Sequence, residues 1–451
     1  MSEMTPTLYL PIEDAARELD AKALVAAAAV QRGLSVVIGQ QWLIANNHAH
    51  MPLGLMVFKG MNARQANAMR AVSAHGHLTG ASDEEALGLA NMSYIQRDID
   101  TDLASYCDLF LAQGRLHSDA IAGKTGASKE KILEVGNPRI DLLRAPFKEL
   151  SAAQARNLRG EHGEYILVNT NIGAVNSVFG GVEEYKEVVI RIGWMDPNKA
   201  EDNALFDAIV AYDHANLSLS RAAIAKLSKA FPRSMIVLRP HGSERIDTWQ
   251  EYCTKYANVK VIHKGRHLSW ILGARAMVHT CCTTGLEAEI LGQTAVNLRP
   301  KAHKGLLHRV FIANIANLSV DTPSAVAELL RTVLNGDSRR FDQTRPARLA
   351  ALAAHIHGIE DTFTFAHERI AEVAVNLLTS HGAVANRFSW EPTDRENYLG
   401  AVRRTQYQLE KINLSKTDFE RTWRELTTLS GMNIPVRIEQ IGDSLFLIEQ
   451  N

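Results

Sequence analysis

The sequence predicts an α/β protein of two facing, doubly wound Rossmann-like units with a helical C-terminal extension. Three observations carry that reading. Short apolar runs alternate with helical patterns in the first third of the chain. A polar stretch, "KELSAAQARNLRGEHGE" (148–164), interrupts them, and the alternation then restarts at "YILVNTN" (165–171). Strands separated by helices of about 10–15 residues imply parallel sheets covered on both faces.

The elements follow in order. "TLYLPI" (7–12) reads as a strand. "EDAARELDAKALVAAAAVQRG" reads as a helix with Leu19, Ala23, Leu24, Ala27 and Val30 on one face and Gly33 as its stop. "SVVIG" (35–39), "LGLMVFKG" (53–60) and "DLFLAQG" (108–114) are buried strands, and "KILEVGNPRIDLL" is a strand running into an Asn-Pro turn at 137–138. In the second unit "SLSRAAIAKLSKAFP" (218–232) is a helix stopping at Pro232. Its strands are "YILVNTN", "SMIVLRP", "NVKVIH" (258–263), "ARAMVHT" (274–280) and "TAVNLRP" (294–300). Beyond about 320 the chain reads as helical, including 363–382, with charged amphipathic helices over 393–430 and a hairpin over 436–450 turning at Gly-Asp. The expected division is 1–155, an acceptor-side domain; 156–320, a CMP-sugar-binding domain; 321–390, helices packing back on both; and 391–451, a helical extension with a terminal hairpin.

Composition bounds the function. The chain has 451 residues, 22% charged and 46% hydrophobic, with 49 Lys+Arg against 50 Asp+Glu. That balance argues against a nucleic-acid partner, which calls for a basic excess. Four cysteines (107, 253, 281 and 282), none in C-x-x-C spacing, suit a reducing, cytoplasmic setting. The N-terminus lacks the pattern of a signal peptide, and no window reaches about 18 apolar residues. Membrane contact is therefore expected to be peripheral, at the inner face of the cytoplasmic membrane.

Two segments concentrate chemistry at strand ends. In "VLRPHGSERIDTW" (237–249), Pro240 cannot donate to a ladder, so the strand ends near Arg239. Arg239 and His241 then project where ligands of open α/β sheets bind, with groups suited to phosphate or to proton transfer. The plain alternative pairs Arg239 with Glu244 and leaves His241 as a cap. In "ARAMVHTCCTTGLEAEILGQ" (274–293), a small-residue turn puts Thr283 and Thr284 at a helix start, whose free N–H groups and dipole attract anions. There the plain alternative is a capping box, Thr284 with Glu287. Asn169, Thr170 and Asn171 end a strand and suit sugar hydroxyls, or form a polar turn. Asp83, Glu84 and Glu85 make an acidic cluster that would serve as catalytic acid or acceptor site, or simply open a solvated helix.

"YILVNTN", "RPHGSE" with Trp249 eight residues after His241, "GNPRIDLLR", "CTTGLEAEILGQ" and "SDEEALG" (82–88) resemble the surface-carbohydrate biosynthesis proteins. More narrowly, they resemble the retaining β-Kdo glycosyltransferases of lipopolysaccharide O-antigens, over about residues 7–310. The resemblance implies a GT-B-like architecture, CMP-Kdo as donor and a glycan acceptor, lipid-linked in some pathways, held on the first domain. It places CMP against Arg239, His241, Ser243, Glu244, Thr283 and Thr284, with Glu287 on a ribose hydroxyl. Acceptor or sugar contacts fall to Asn169, Asn171 and Glu84, and catalytic roles to Asp213, His241 and Glu85. Asp213, in "FDAIVAYDHANLS", is the best carboxylate for the nucleophile that retention requires, or else a helix N-cap, with Asp207 inside a helix.

No cofactor or metal is expected. "AGKTGA" (122–127) fails as a P-loop because Ser118 stands where glycine is needed. The "HAH" (48–50) and "HGH" (75–77) runs lack cysteine or carboxylate partners at ligand spacing. Two other readings stay open: another sugar-nucleotide enzyme (epimerase or polyol-phosphate transferase), and a non-catalytic glycan-binding subunit.

Overall fold

A computed structural model of the chain describes residues 6–84, 86–301, 312–361, 363–381, 390–399, 404–432 and 434–451. It divides into two compact units: residues 1–87, 95–150 and 353–451, and residues 88–94 and 151–352.

The first unit holds an eight-stranded sheet. Its strands are β1 (Thr7–Ile12), β2 (Ser35–Gln40), β3 (Gly54–Phe58), β4 (Leu78–Ser82), β5 (Leu109–Ala112) and β6 (Ile132–Glu134), joined by β13 (Val436–Gly442) and β14 (Leu445–Gln450). Their order is β13-β14-β2-β1-β3-β4-β5-β6, parallel from β2 to β6. Every residue of β1, β2 and β3 is buried, as strands covered on both faces require. The helix Ala15–Gln31 starts at Asp14, whose side chain accepts from the Ala16 N–H, and ends before Gly33 in the left-handed region.

β4 escaped the sequence reading. "LTGAS" carries one large apolar residue, and its Thr79 is fully buried. That is tolerated because the Thr79 N–H donates to Asp108 Oδ2 (2.9 Å) and its hydroxyl to the Tyr106 carbonyl.

The C-terminal helices and hairpin are present, and the hairpin builds into the first sheet. β14 pairs antiparallel with β2 in register Leu447↔Val37, and Phe419, Trp423 and Phe446 join the same core as Leu8, Val36 and Leu55. Phe419 stacks on Phe446 with centroids 4.4 Å apart. The amphipathic helix Lys416–Ser430 therefore covers a sheet of its own unit, and the hairpin turns over Asp443 and Ser444.

The "GNPRID" run closes this unit over more than two hundred residues. Asn137 caps the turn Pro138–Asp141 and donates to Gln113 Oε1 (3.2 Å). Asp141, 1% exposed, accepts from the Ala366 and His367 N–H groups (3.1 and 2.9 Å), His367 Nδ1 (2.9 Å) and Arg144 (3.1 Å). A carboxylate thus holds the N-terminus of the helix Ala366–Ser380, the end at which negative charge is favoured.

The second unit holds six parallel strands: β7 (Tyr165–Asn169), β8 (Met235–Arg239), β9 (Val259–Val261), β10 (Ala276–His279), β11 (Ala295–Leu298) and β12 (Leu318–Val320). β12 was not read as a strand from the sequence. The polar stretch is a helix, Glu149–His162, docked by Arg159 on the carbonyls of Leu272 and Gly273 (2.6 and 2.9 Å).

The helix expected at 218–232 is far longer, Ala200–Ala230. Phe206, Asp213, Asn216, Ser220, Ala223, Ile224 and Leu227 are all buried along it. The spacing is helical, but three polar members in the middle hide the apolar period.

Candidate functional site

Counted from β7, the second sheet runs 3-2-1-4-5-6, so the direction of winding reverses between β7 and β10. At such a switch point the loops after two adjacent strands leave in opposite directions and open a crevice at the carboxyl ends. Both segments singled out above end there. Asn169 and His279 are paired across β7 and β10, and Asn169 Nδ2 donates to Thr284 Oγ1 at 3.0 Å.

The turn after β10 is held from below. Cys281 sits in the left-handed region (φ 50), a conformation costing a non-glycine residue about 1–3 kcal/mol. Its N–H donates to Asn297 Oδ1 (3.0 Å), and the Tyr212 hydroxyl lies 2.7 Å from its Sγ. A Cβ on Gly285 would overlap Asn317 Oδ1 and His279 Nε2, so "CTTG" needs its glycine for packing over a buried histidine. The helix Thr284–Ile290 has seven residues, and its N-cap Thr283 makes no side-chain cap bond. No capping box forms: Glu287 Oε2 lies 3.0 Å from His267 Nε2 instead.

His279 gives an acid test of the fold. Its Nε2 lies 2.9 Å from Asn317 Oδ1 and its Nδ1 accepts from the Cys282 N–H (3.3 Å), which fixes the neutral ring. Burial drives it from 6.5 to about 4. Burial does the same to His117 in the first unit, whose Nδ1 accepts from the Gln113 N–H. The unfolded chain takes up these protons before the folded one, so stability present above about pH 6.5 is lost as pH falls toward 4. The loss reaches about 3 kcal/mol per histidine. Urea midpoints recorded from pH 7.5 to 4.5 should fall along that interval, with both units affected. A flat profile would show that the rings are not held neutral.

After β8 the sequence expectation needs correction. Arg239 neither pairs with Glu244 nor points into open crevice. Its guanidinium donates to the carbonyls of Ile262 (3.2 Å), Lys264 (2.7 Å) and Gly265 (3.1 Å) and lies 5.2 Å over the Trp270 ring. Burial lowers it to about 10, leaving it charged at neutral pH. Glu244 is a structural centre: it is 1% exposed and accepts from Thr170 Oγ1, the Ile172 and His241 N–H groups and Trp249 Nε1. His241 is exposed, and its Nδ1 accepts from the Ser243 N–H (3.2 Å) with Ser243 Oγ at 2.7 Å. That contact leaves the proton of the neutral ring on Nε2, a donor suited to a phosphate oxygen.

Asp213 lies inside the long helix, neither at a turn nor at an N-cap, and its Oδ2 accepts from the Ala174 N–H at 3.0 Å. Asp207 lies in the same helix. Asn171 is half-buried in the loop after β7. The structure thus gathers Asn169, Asn171, Asp213, His241, Ser243, Thr283 and Thr284 around the ends of β7, β8 and β10.

Glu84 belongs to the first unit. It follows β4, its N–H donates to the Lys59 carbonyl (3.0 Å), and Oε1 lies 3.9 Å from Lys22 Nζ. Lys22 is buried with Glu18 (2.7 Å), and Lys59 pairs with Glu13. That network stands at the carboxyl ends of β1 and β3, where the first sheet reverses its winding. Sequence reasoning missed it, although Glu18 and Lys22 are four residues apart on a helix, a recognisable pair spacing. Asp83 accepts from the Ala86 N–H (3.3 Å), and Glu85 lies outside the described residues.

Histidines of the two runs set aside make local contacts. His48 stacks edge-on against His75 at 4.8 Å, and His77 Nε2 meets the His48 carbonyl. Among the described residues no group of three or more His, Cys, Asp or Glu side chains is placed to hold a metal ion. Nor, among them, is any helix long and apolar enough to cross a membrane.

The chain is therefore an α/β protein of two doubly wound units, with polar residues gathered at the switch point of the second. No family model and no curated protein matches the sequence. The fold is similar to the wall teichoic acid polymerase TagF (11% identity, 83% of this chain and 89% of that one, TM-score 0.47). It is similar to a UDP-N-acetylglucosamine 2-epimerase (12%, 85% and 97%, TM-score 0.48). It is also similar to the UDP-GlcNAc 2-epimerase from Neisseria meningitidis bound to UDP-GlcNAc (12%, 84% and 100%, TM-score 0.44). Likeness at this level assigns neither family nor chemistry.

Proposed function

We propose that the chain is a glycosyltransferase of the GT-B kind that binds a CMP-activated sugar at the switch point of its second unit. The sugar is Kdo, and the acceptor is a saccharide of a lipopolysaccharide O-antigen or other surface polysaccharide. The observation that supports this reading is the placement of Asn169, Thr283 and Thr284 at the reversal between β7 and β10, with His241 and Ser243 after the adjacent strand β8. The identity of donor and acceptor rests on the motif resemblance.

In this reading the His241 Nε2–H meets the phosphate, where negative charge develops as CMP leaves. The Asp213 carboxylate attacks the anomeric carbon, forming a C–O bond as the bond to the CMP phosphate breaks. The acceptor hydroxyl then attacks the same carbon, loses its proton to a base and frees the carboxylate, so configuration is retained. Asp213 must give up the Ala174 N–H to do this. Glu84 and its lysine partners at the strand ends of the first unit are assigned to the acceptor.

The test is CMP release from CMP-Kdo generated in situ, with a panel of short saccharide acceptors. Wild type should release CMP in an acceptor-dependent way, and His241→Ala should be about 10²-fold slower. Asp213→Asn should bind CMP without turnover. CMP binding without release for any acceptor would point to a different donor. Absence of both would remove the site assignment.

A further inference from the structure

The loop "HKGRH", His263 to His267, was not among the residues singled out from the sequence, yet it carries Lys264 and Arg266 beyond the end of β8. It leaves β9, an edge strand, and its course is fixed by contacts at both ends. His263 Nδ1 lies 3.1 Å from the Pro240 carbonyl, beyond the end of β8. At the other end His267 Nε2 lies 3.0 Å from Glu287, on the helix that follows β10. Between these anchors the loop packs against Arg239 of β8 and Trp270 of the helix His267–Gly273.

Arg239 holds the middle of the crossing. It binds three loop carbonyls, and the Lys264 carbonyl takes a second donor from Trp270 Nε1 (2.8 Å). Gly265 adopts φ 81, which directs the turn. Backbone carbonyls therefore face the buried arginine, while His263 and Lys264 are exposed and Arg266 half-buried. Glu287 is the carboxylate whose ion pair reaches this loop, and it meets His267.

We infer that residues 263–267 form an anion-binding strap for a second negative group of the donor, beyond the phosphate assigned to His241, and that Arg239 is the positioning residue that holds the strap. This rests on the proposed nucleotide site. Two sources share that chemistry: the distal phosphate of a nucleoside diphosphate, and the carboxylate of a CMP-linked ulosonic acid. An ammonium such as Lys264 meets either as a point charge, with no geometric preference between them.

The experiment is calorimetric titration of the full chain with CMP, CDP and CMP-N-acetylneuraminate, in wild type, Lys264→Ala, Lys264→Arg and Arg239→Lys. Lys264 has an exposed side chain, so its loss leaves the folded state intact. At low salt one of the two extended ligands should bind about tenfold tighter than CMP. That ligand identifies the source of the second charge. The advantage should fall to about twofold or less in Lys264→Ala and return in Lys264→Arg. It should also fall in Arg239→Lys, because a single ammonium cannot span three carbonyls, with melting curves confirming a folded protein. CMP binding with no advantage for either ligand, or an advantage unchanged in Lys264→Ala, overturns the strap and leaves the nucleotide site standing. Failure of all three ligands to bind overturns both.

Discussion

Glu244→Ala should cost the second unit about 3–5 kcal/mol, because four buried donors lose their common acceptor. The carboxylate is where the loops after β7 and β8 meet. Thr170 and Ile172 come from one, His241 from the other, and Trp249 from the following helix. Removing it strands these buried donors at roughly 1–3 kcal/mol each, less whatever relaxation recovers. Burial raises the Glu244 carboxyl, and the four donors oppose that rise. Glu244→Gln should retain part of the stability, since one oxygen remains but an amide N–H₂ then faces donors. For a unit of this size the alanine variant should melt roughly 10 °C lower, and a change under about 2 °C would refute the role. Nucleotide binding should weaken in parallel, because the same contact fixes the His241 backbone.

The second large effect belongs to Asp141. Asp141→Ala removes the acceptor for two N–H groups at the start of the helix Ala366–Ser380, for His367 and for Arg144. Arg144 also bridges to the carbonyls of Gly358, Asp361 and Thr364, so the whole return of the chain loosens. The expected cost is about 3 kcal/mol, read as a lower urea midpoint. The direct measurement is amide exchange: the first turn of that helix should exchange faster in Asp141→Ala, and Asp141→Asn should fall between. Unchanged protection there would show that the core contacts of Ile370 and Ala374 hold the helix by themselves.

These two variants explain why motif residues and ligand residues are hard to separate in a sequence. "RPHGSE" and "GNPRID" each stand out as clusters of polar residues after an apolar run. In both, the most deeply placed polar groups, Arg239, Glu244 and Asp141, satisfy loop backbone and neighbouring side chains. A buried charge must be paired or fully hydrogen-bonded to be tolerated. The pattern that announces a site therefore also announces the scaffold beneath it. His241 and Ser243, at the exposed end of the same segment, are the ones left facing outward.

The sequence by itself determined the alternation of strands and helices, because a strand buried on both faces must be a continuous apolar run and a crossover helix must show its period. β1, β2, β3, β5, β7, β8, β10 and β11 were readable on that ground. It also determined that polar side chains collect after β7, β8 and β10, because they follow the apolar runs there directly. Only the tertiary structure decided strand order, and with it the reversal between β7 and β10. It alone decided that Asp213 lies within a 31-residue helix whose buried face is polar in the middle. It also decided that the final hairpin completes the first sheet, and that Arg239 fastens a loop more than twenty residues away. Each of these is a pairing between distant segments. Local periodicity reports which face of an element is covered, whereas the partner that covers it is set by packing of the whole chain.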